Sequence, residues 1–212
     1  MNCSHCQGLD ELFSAEYVAK EVAKYRRQGP DKTTRMLTNA LKQQGVHELT
    51  LLDIGGGVGA IQYELLDAGV KSATDIEAST AYPAAAKAES QKRGYAERIH
   101  YHQGNFVDLA EHIQPADIVT LDRVICCFPD MQQLVGLSVA RAGKLYGVVY
   151  PRDIWWMKMG LAVQNFFFRL QRNPFRVFIH PSEAVEAIIM RSGLKRIFYR
   201  RTLLWQVVVY SR

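Results

Sequence analysis

The sequence predicts an α/β fold: a doubly wound, seven-stranded mixed sheet with an antiparallel last strand and helices on both faces. Three observations carry this. Between residues 46 and 150, short apolar runs alternate with segments of helical period, the pattern of parallel strands joined by right-handed crossovers. The first apolar run ends in a glycine cluster, 55–59, just ahead of a helix. The last two expected strands, 194–201 and 203–210, almost touch in sequence, so only a hairpin can join them and one of them must run against the rest.

Each element has its own local signal. A first helix is expected over 10–27, with Phe13, Val18, Val22 and Tyr25 on one stripe, ended by Gly29-Pro30. Asp31 or Thr33 would cap a second helix whose Met36, Leu37, Ala40 and Leu41 keep the 3.6 period until Gly45. Strands follow at 49–54, 72–77, 98–103, 117–121 and 145–150. The intervening helices are expected at 61–68, 80–93 and 131–140, the first two closed by Gly69 and Gly94. A final helix over 182–191 precedes the hairpin.

The chain has 212 residues, 48% hydrophobic and 22% charged, the balance of one ordinary globular domain. It reads as an N-terminal helical cap (1–45), a ligand-binding core (46–150), a lid or interfacial segment (151–181) and a C-terminal helix with hairpin (182–212). No run of 18 apolar residues suggests a spanning helix, and the start lacks the pattern of a secretory signal, so a cytoplasmic location is expected. Charge is unevenly placed. Residues 1–150 carry 15 Lys and Arg against 18 Asp and Glu, whereas 151–212 carry 11 against 3. The same tail holds 11 of the 22 aromatic residues, so it suits either an acidic or amphiphilic partner or a charged face over an aromatic core.

Four cysteines are too few for a disulfide framework. Cys126 and Cys127, read as neighbours on a strand, would point to opposite faces and stay reduced. Cys3, His5 and Cys6 make half a zinc site with no second half, so no metal is expected.

The chemistry concentrates in Asp53-Ile-Gly55-Gly56-Gly57-Val58-Gly59-Ala60. Glycines there allow a tight turn and close approach of a ligand to a helix N-terminus. Two cofactors fit the loop. Gly55-x-Gly57-x-x-Ala60, with Glu77 as the ribose acid, satisfies a dinucleotide fingerprint. Asp53-x-Gly55-x-Gly57-x-Gly59 equally resembles the first motif of the class I methyltransferases that use S-adenosylmethionine.

The rest of the chain resembles that second family and its Rossmann-like fold. Ala73 to Ser79 looks like the second-strand motif, which would place Glu77 on both ribose hydroxyls with Ala78 beside it. Gly104-Asn105-Phe106 is similar to the Gly-Asp-Phe that meets adenine, with Asn105 as a departure that still offers a carbonyl acceptor. Asp117 to Val124 resembles the fourth-strand motif, whose end, Asp122 and Arg123, would lie beside the methionine part. The resemblance thus implies cofactor contacts from Asp53, Gly55, Gly56, Gly57, Glu77, Ala78, Asn105, Phe106, Asp122 and Arg123. No Tyr-x-x-x-Lys pair supports a nicotinamide-dependent oxidoreductase, which stays an alternative beside a non-catalytic S-adenosylmethionine-binding protein.

The acceptor is read less directly. Motifs of base-amine and cytosine-C5 enzymes are missing, which favours a small molecule over nucleic acid. Residues 154–172 put Lys158, Asn165, Arg169 and Arg172 on one narrow stripe beside a wide apolar, aromatic remainder. This suits a helix packed on the core, a lid over an apolar substrate, or peripheral membrane contact. The order of parts resembles magnesium-protoporphyrin O-methyltransferases and quinone-pathway methyltransferases, implying a small, apolar or amphiphilic, acidic acceptor. Tyr25, Arg152 and His180 are the acceptor-side candidates: an arginine to pair with an anion, a histidine to take a proton.

Overall fold

A computed structural model describes the backbone from residue 4 to residue 212 and the side chains from residue 8 onward. Three helices open it: α1 (Ser4–Leu12), α2 (Ala15–Gln28) and α3 (Lys32–Lys42). The core follows as β1 (Thr50–Ile54), α4 (Ala60–Asp67), β2 (Ser72–Glu77), α5 (Tyr82–Lys92), β3 (Ile99–Gln103), α6 (Phe106–Leu109), β4 (Ala116–Asp122), α7 (Met131–Val139) and β5 (Ala142–Pro151). Helices α8 (Trp155–Leu170) and α9 (Ser182–Arg191) lead to β6 (Lys195–Arg201) and β7 (Trp205–Ser211).

The strands form one sheet in the order β3-β2-β1-β4-β5-β7-β6. The first five run parallel, and β7 lies antiparallel to both β5 and β6. Chain order reverses between β1 and β4, so the loops leaving those two strands diverge to opposite faces and open a crevice at their carboxyl ends. The expected seven-stranded sheet with its reversed last strand is the observed one.

Alternation along the strands divides the core in two. Leu52, Ile54, Val119 and Leu121 pack with Leu134 and Val135 of α7 and Ile189 of α9. Leu51, Ile118 and Val149 point the other way, against Leu37 and Leu41 of α3 and Leu65 of α4. Asp53, Asp75 and Thr120 share this second face, because register places Asp53 opposite both Asp75 and Thr120.

Several local expectations need correction. The first helix is two, because the Ser14 hydroxyl accepts from Tyr17 N at 3.3 Å and starts a new helix there. Asp31 occupies the N-cap position of α3 without capping it; its carboxylate pairs instead with Lys24 at 2.8 Å and Arg123 at 3.1 Å. Cys126 and Cys127 lie in a 3₁₀ turn, not a strand, so both thiols turn toward the Arg123 carbonyl, with 3.8 Å between sulfurs. That separation is far beyond a disulfide bond. Arg172 lies past the end of α8 with φ +57°, so the polar stripe of that helix ends at Arg169. No residue of α8 is buried, so it is not a core helix. Cys3 and the side chains of His5 and Cys6 fall outside the described residues, and among those described no cluster suits a metal ion.

Candidate functional site

The loop after β1 turns back on itself at once. Gly55, at φ +71°, donates its N–H to the Ile76 carbonyl at 2.7 Å, and a Cβ here would come within 2.4 Å of Val124 Cγ2. Gly59, at φ +85°, stands at the N-cap of α4 and donates to the Gly56 carbonyl at 2.9 Å. Glycine is required where the backbone is left-handed and a neighbour fills the Cβ position.

Glu77 ends β2 and is buried beside this loop. Its two carboxylate oxygens accept from Gly57 N at 3.1 Å and Ser79 N at 2.8 Å. Burial pushes its pKa upward, against the backbone N–H groups of Ser79, Gly57 and Ala78, which favour the charged form. An ionised carboxylate has about four lone-pair sites, so at most about two remain for a ligand in the crevice that Glu77 lines. Such a pair of acceptors matches a vicinal diol.

Beneath the loop lies a buried polar row. Asp53 accepts from Thr120 Oγ1 at 2.7 Å and from Gln62 Nε2 at 3.2 Å. Burial, which outweighs these bonds, pushes Asp53 to about 7, and the nearby Asp122 and Glu77 charges add to the rise. Asp75 is raised for the same first reason, with Asp53 next. Asp75 Oδ1 and Gln62 Oε1 both lack a partner, a deficit that a proton on Asp75 relieves by turning one acceptor into a donor. Asp53 therefore holds Thr120 and Gln62 rather than the glycine amides.

At the end of β4 a second network forms. Asp122 accepts from Arg123 Nε at 3.0 Å and from Thr34 Oγ1 at 2.5 Å. Arg123 also donates to Asp31 Oδ2 at 3.1 Å and Thr34 Oγ1 at 3.3 Å. Its backbone is left-handed, φ +63°, a rare state for a side-chain-bearing residue and a mark of a constrained site. Burial alone would lower its pKa, but Asp122 and Asp31 raise it, so the guanidinium is firmly charged. This network ties the α2–α3 connection to the sheet.

Asp53, Gly55, Gly56, Gly57, Glu77, Ala78, Asn105, Phe106, Asp122 and Arg123 all line one cavity of about 790 Å³. That volume lies toward the upper end of the range for small-molecule sites. Asn105 caps α6 by accepting from Val107 N at 3.2 Å, and Phe106 is buried behind it. Leu12 and Phe13, with Tyr17 and Glu21 of α2, Trp156 and Leu161 of α8, and Phe175 form the opposite wall. The segment bearing Phe175 is tied before it by Asn173 N donating to the Phe168 carbonyl at 2.9 Å, and after it by two hydrogen bonds between Asn165 of α8 and Val177 and by Phe178 N donating to the Cys126 carbonyl at 2.7 Å. Arg123 is the single cationic side chain among the described residues that line the cavity, whose other charged groups are acidic.

The three acceptor-side candidates lie elsewhere. Tyr25 is buried between α2 and α4, stacks near Tyr63 with the Arg93 guanidinium over its ring, and is pushed up to about 12 by burial. Arg152 donates to the Thr202 and Leu203 carbonyls at 3.3 and 3.2 Å, holding the hairpin turn. His180 Nε2 lies 3.1 Å from the Ile125 carbonyl and 3.0 Å from the Phe128 carbonyl, bracing the turn after β4. None of the three is on the cavity wall. Sequence reasoning also missed Thr34, Gln62 and Asp75. Only Asp75 had a signal, a carboxylate two residues before Glu77 on the same strand.

Residues 52–148 match the family model described as a methyltransferase domain. The chain is similar in fold to magnesium protoporphyrin IX methyltransferase (ChlM) from Synechocystis PCC 6803 with bound S-adenosylhomocysteine. That likeness has TM-score 0.68 and 14% identity, over 92% of this chain and 96% of the other. An O-methyltransferase family protein from Burkholderia thailandensis gives TM-score 0.69 at 14% identity, over 95% of this chain and 61% of its own. An O-methyltransferase family 2 protein from Planctomyces limnophilus in complex with apigenin gives 0.60 at 14%, over 87% and 62%. No curated protein matches the sequence.

Proposed function

We propose that this chain, a member of the class I S-adenosylmethionine-dependent methyltransferases, methylates a small apolar or amphiphilic acceptor that bears an acidic nucleophile. The observation that carries the reading is one cavity with two unlike halves. Its floor presents the Glu77 acceptors, the adenine-side pair Asn105 and Phe106, and Asp122, while its far wall is mainly aliphatic and aromatic, with Glu21 as its acid. The floor suits S-adenosylmethionine, with Glu77 holding the ribose hydroxyls and Gly55 to Gly57 leaving room for the backbone to approach. Asn105 commits its carbonyl to capping α6, so its amide is the group free to donate toward adenine. The reversed β7 in the sheet favours this cofactor over a nicotinamide dinucleotide, whose fold places six parallel strands in the order 3-2-1-4-5-6.

S-adenosylmethionine, when bound, supplies a methyl group on a sulfonium for in-line transfer. The chain's own part is positioning and exclusion of water. Phe13, Tyr17, Trp156 and Phe175 enclose the acceptor half, so a nucleophile held there sheds its hydration. Burial raises the pKa of Tyr17 and Tyr82, so both phenols stay protonated at neutral pH and neither serves as a base. The two oxygens of Asp122 already accept from Arg123 and Thr34. Glu21 is a further carboxylate on this wall, so the acceptor arrives ionised, gives its proton to Glu21, or ionises against the Arg123 charge, as a carboxylic acid or phenol would. The names of two fold relatives, one acting on a porphyrin and one in complex with apigenin, support a flat ring-bearing acceptor. Segment 154–172, the outer part of this wall, is also where peripheral membrane contact would be made.

Calorimetric titration with S-adenosylhomocysteine, with NAD as control, tests the cofactor assignment, and labelled methyl transfer to a panel of ring carboxylates and phenols tests the acceptor class. Binding of the first alone, with turnover on apolar acids, is expected. Binding of NAD alone would overturn the cofactor; turnover only on short polar acceptors would overturn the acceptor class.

A further inference from the structure

We infer that the outer face of α8, with the adjoining turn of the β6–β7 hairpin, docks on an anionic lipid bilayer and so sets the cavity wall against the phase that dissolves an apolar acceptor. The link to an acceptor rests on the methyl-transfer reading; the docking itself does not. At 100° per residue, Trp155, Met159, Val163, Phe166, Phe167 and Leu170 fall within about 120° of arc. All six are exposed, Trp155 at 73% and Leu170 at 63%. Trp156 lies at the edge of the same arc, between Val163 and Phe167, half-buried against the cavity, and Gly160, Gln164, Met157 and Leu161 continue the cavity wall over the next arc. Lys158, Asn165 and Arg169 occupy the remaining flank. One helix thus carries both a cavity wall and an apolar strip that no other element covers among the described residues.

The strip continues onto the hairpin. Arg152 N donates to the Leu204 carbonyl at 2.9 Å, and its guanidinium holds the Thr202 and Leu203 carbonyls, so this turn is fixed beside the start of α8. Leu203 is 70% exposed at its tip, while Leu204 and Trp205 reach the cavity.

Charge decides which occupant fits. Residues 151–212 carry 11 cations against 3 acids. Two of those acids are spent on Lys158 and Arg196. Arg169 and Arg172 at the end of α8, and Arg200 and Arg201 leading into the hairpin turn, have no carboxylate partner among the described residues. An aromatic strip bordered by unpaired cations suits an interface of acyl chains and anionic headgroups. A second copy of this chain would bring the same positive border against itself. At 16 residues α8 is too short to span a bilayer, and among the described residues no helix is long and apolar enough to cross one.

The test uses the full chain and co-sedimentation with phosphatidylcholine vesicles, with and without phosphatidylglycerol, at low and high salt. Binding is expected to the anionic vesicles, weakening with salt. Replacing Phe166→Glu and Phe167→Glu together should lower partitioning on the order of tenfold per residue, and Arg169→Glu or Arg172→Glu by about fivefold or more each. Met190→Glu, exposed on α9, should leave it unchanged. S-adenosylhomocysteine titration of every variant separates the two readings: lost cofactor binding in the unaltered chain would count against methyl transfer and leave docking intact. No vesicle binding, binding indifferent to the α8 variants, or concentration-dependent dimerisation that those variants abolish would each overturn the inference.

Discussion

Replacing Glu77 by glutamine is the sharpest perturbation of the cofactor half. In the native site both oxygens accept, from Gly57 N at 3.1 Å and Ser79 N at 2.8 Å, and in the proposed reading the remaining lone pairs would serve the ribose diol. Glutamine keeps one acceptor oxygen and sets an NH₂ where the other stood. That NH₂ faces a backbone donor on one side and a ribose hydroxyl on the other, so at least one charged hydrogen bond to ligand is lost. Hydrogen bonds to charged groups contribute about 1.5–3 kcal/mol, so affinity for S-adenosylhomocysteine should fall by about 10- to 150-fold. The assay is calorimetric titration of both proteins, with thermal melts to confirm folding. Repeating it with the 2′,3′-dideoxy analogue closes a double-mutant cycle, in which the analogue should cost the native protein far more than Glu77→Gln. A folded variant with unchanged affinity, or a cycle with no coupling, would refute the ribose assignment.

Three further outcomes follow from the same geometry. Gly55→Ala must hold a Cβ at φ +71° and 2.4 Å from Val124 Cγ2. The left-handed backbone alone costs about 1–2 kcal/mol, so the melt should drop and cofactor affinity fall; an unchanged titration would show that the loop does not meet the ligand. Asp53 is raised to about 7, above its unfolded value, so the native state binds more protons between those two pKa values. Stability from this group is present at low pH and is lost as pH rises toward 7, by about 4 kcal/mol in all. Asp53→Asn should therefore flatten the pH dependence of chemical denaturation across that window, and an undiminished slope would count against a protonated Asp53. His180→Ala removes the ring nitrogen from the part-buried Ile125 and Phe128 carbonyls, of which Ile125 keeps Phe128 N at 3.3 Å, so it should lose about 0.5–1.5 kcal/mol of stability. Its pH–rate profile should keep its shape; loss of the acidic limb would make His180 the general base instead.

What the sequence by itself determined is local or periodic. Short apolar runs, helix-period segments and glycine stops are readable because each needs only its neighbours, and they located all seven strands to within a few residues. The reversed last strand was legible for a steric reason, since three residues between β6 and β7 permit only a hairpin. The ten residues read as cofactor contacts line one cavity because four strand ends carry them, and a parallel sheet aligns its carboxyl ends. The tertiary structure alone decided which polar side chains meet. Thr34 reaches Asp122 across 88 positions of sequence, and Thr120 reaches Asp53 across 67. Tyr25, Arg152 and His180 looked chemically able, yet each is used up by a neighbour that no local pattern announces. The same holds for α8: its composition gave an apolar arc, but only the packed sheet showed that one part of the helix walls a cavity while another is left uncovered. Periodicity gives a helix its faces, and the neighbours that pack around it assign each face its environment.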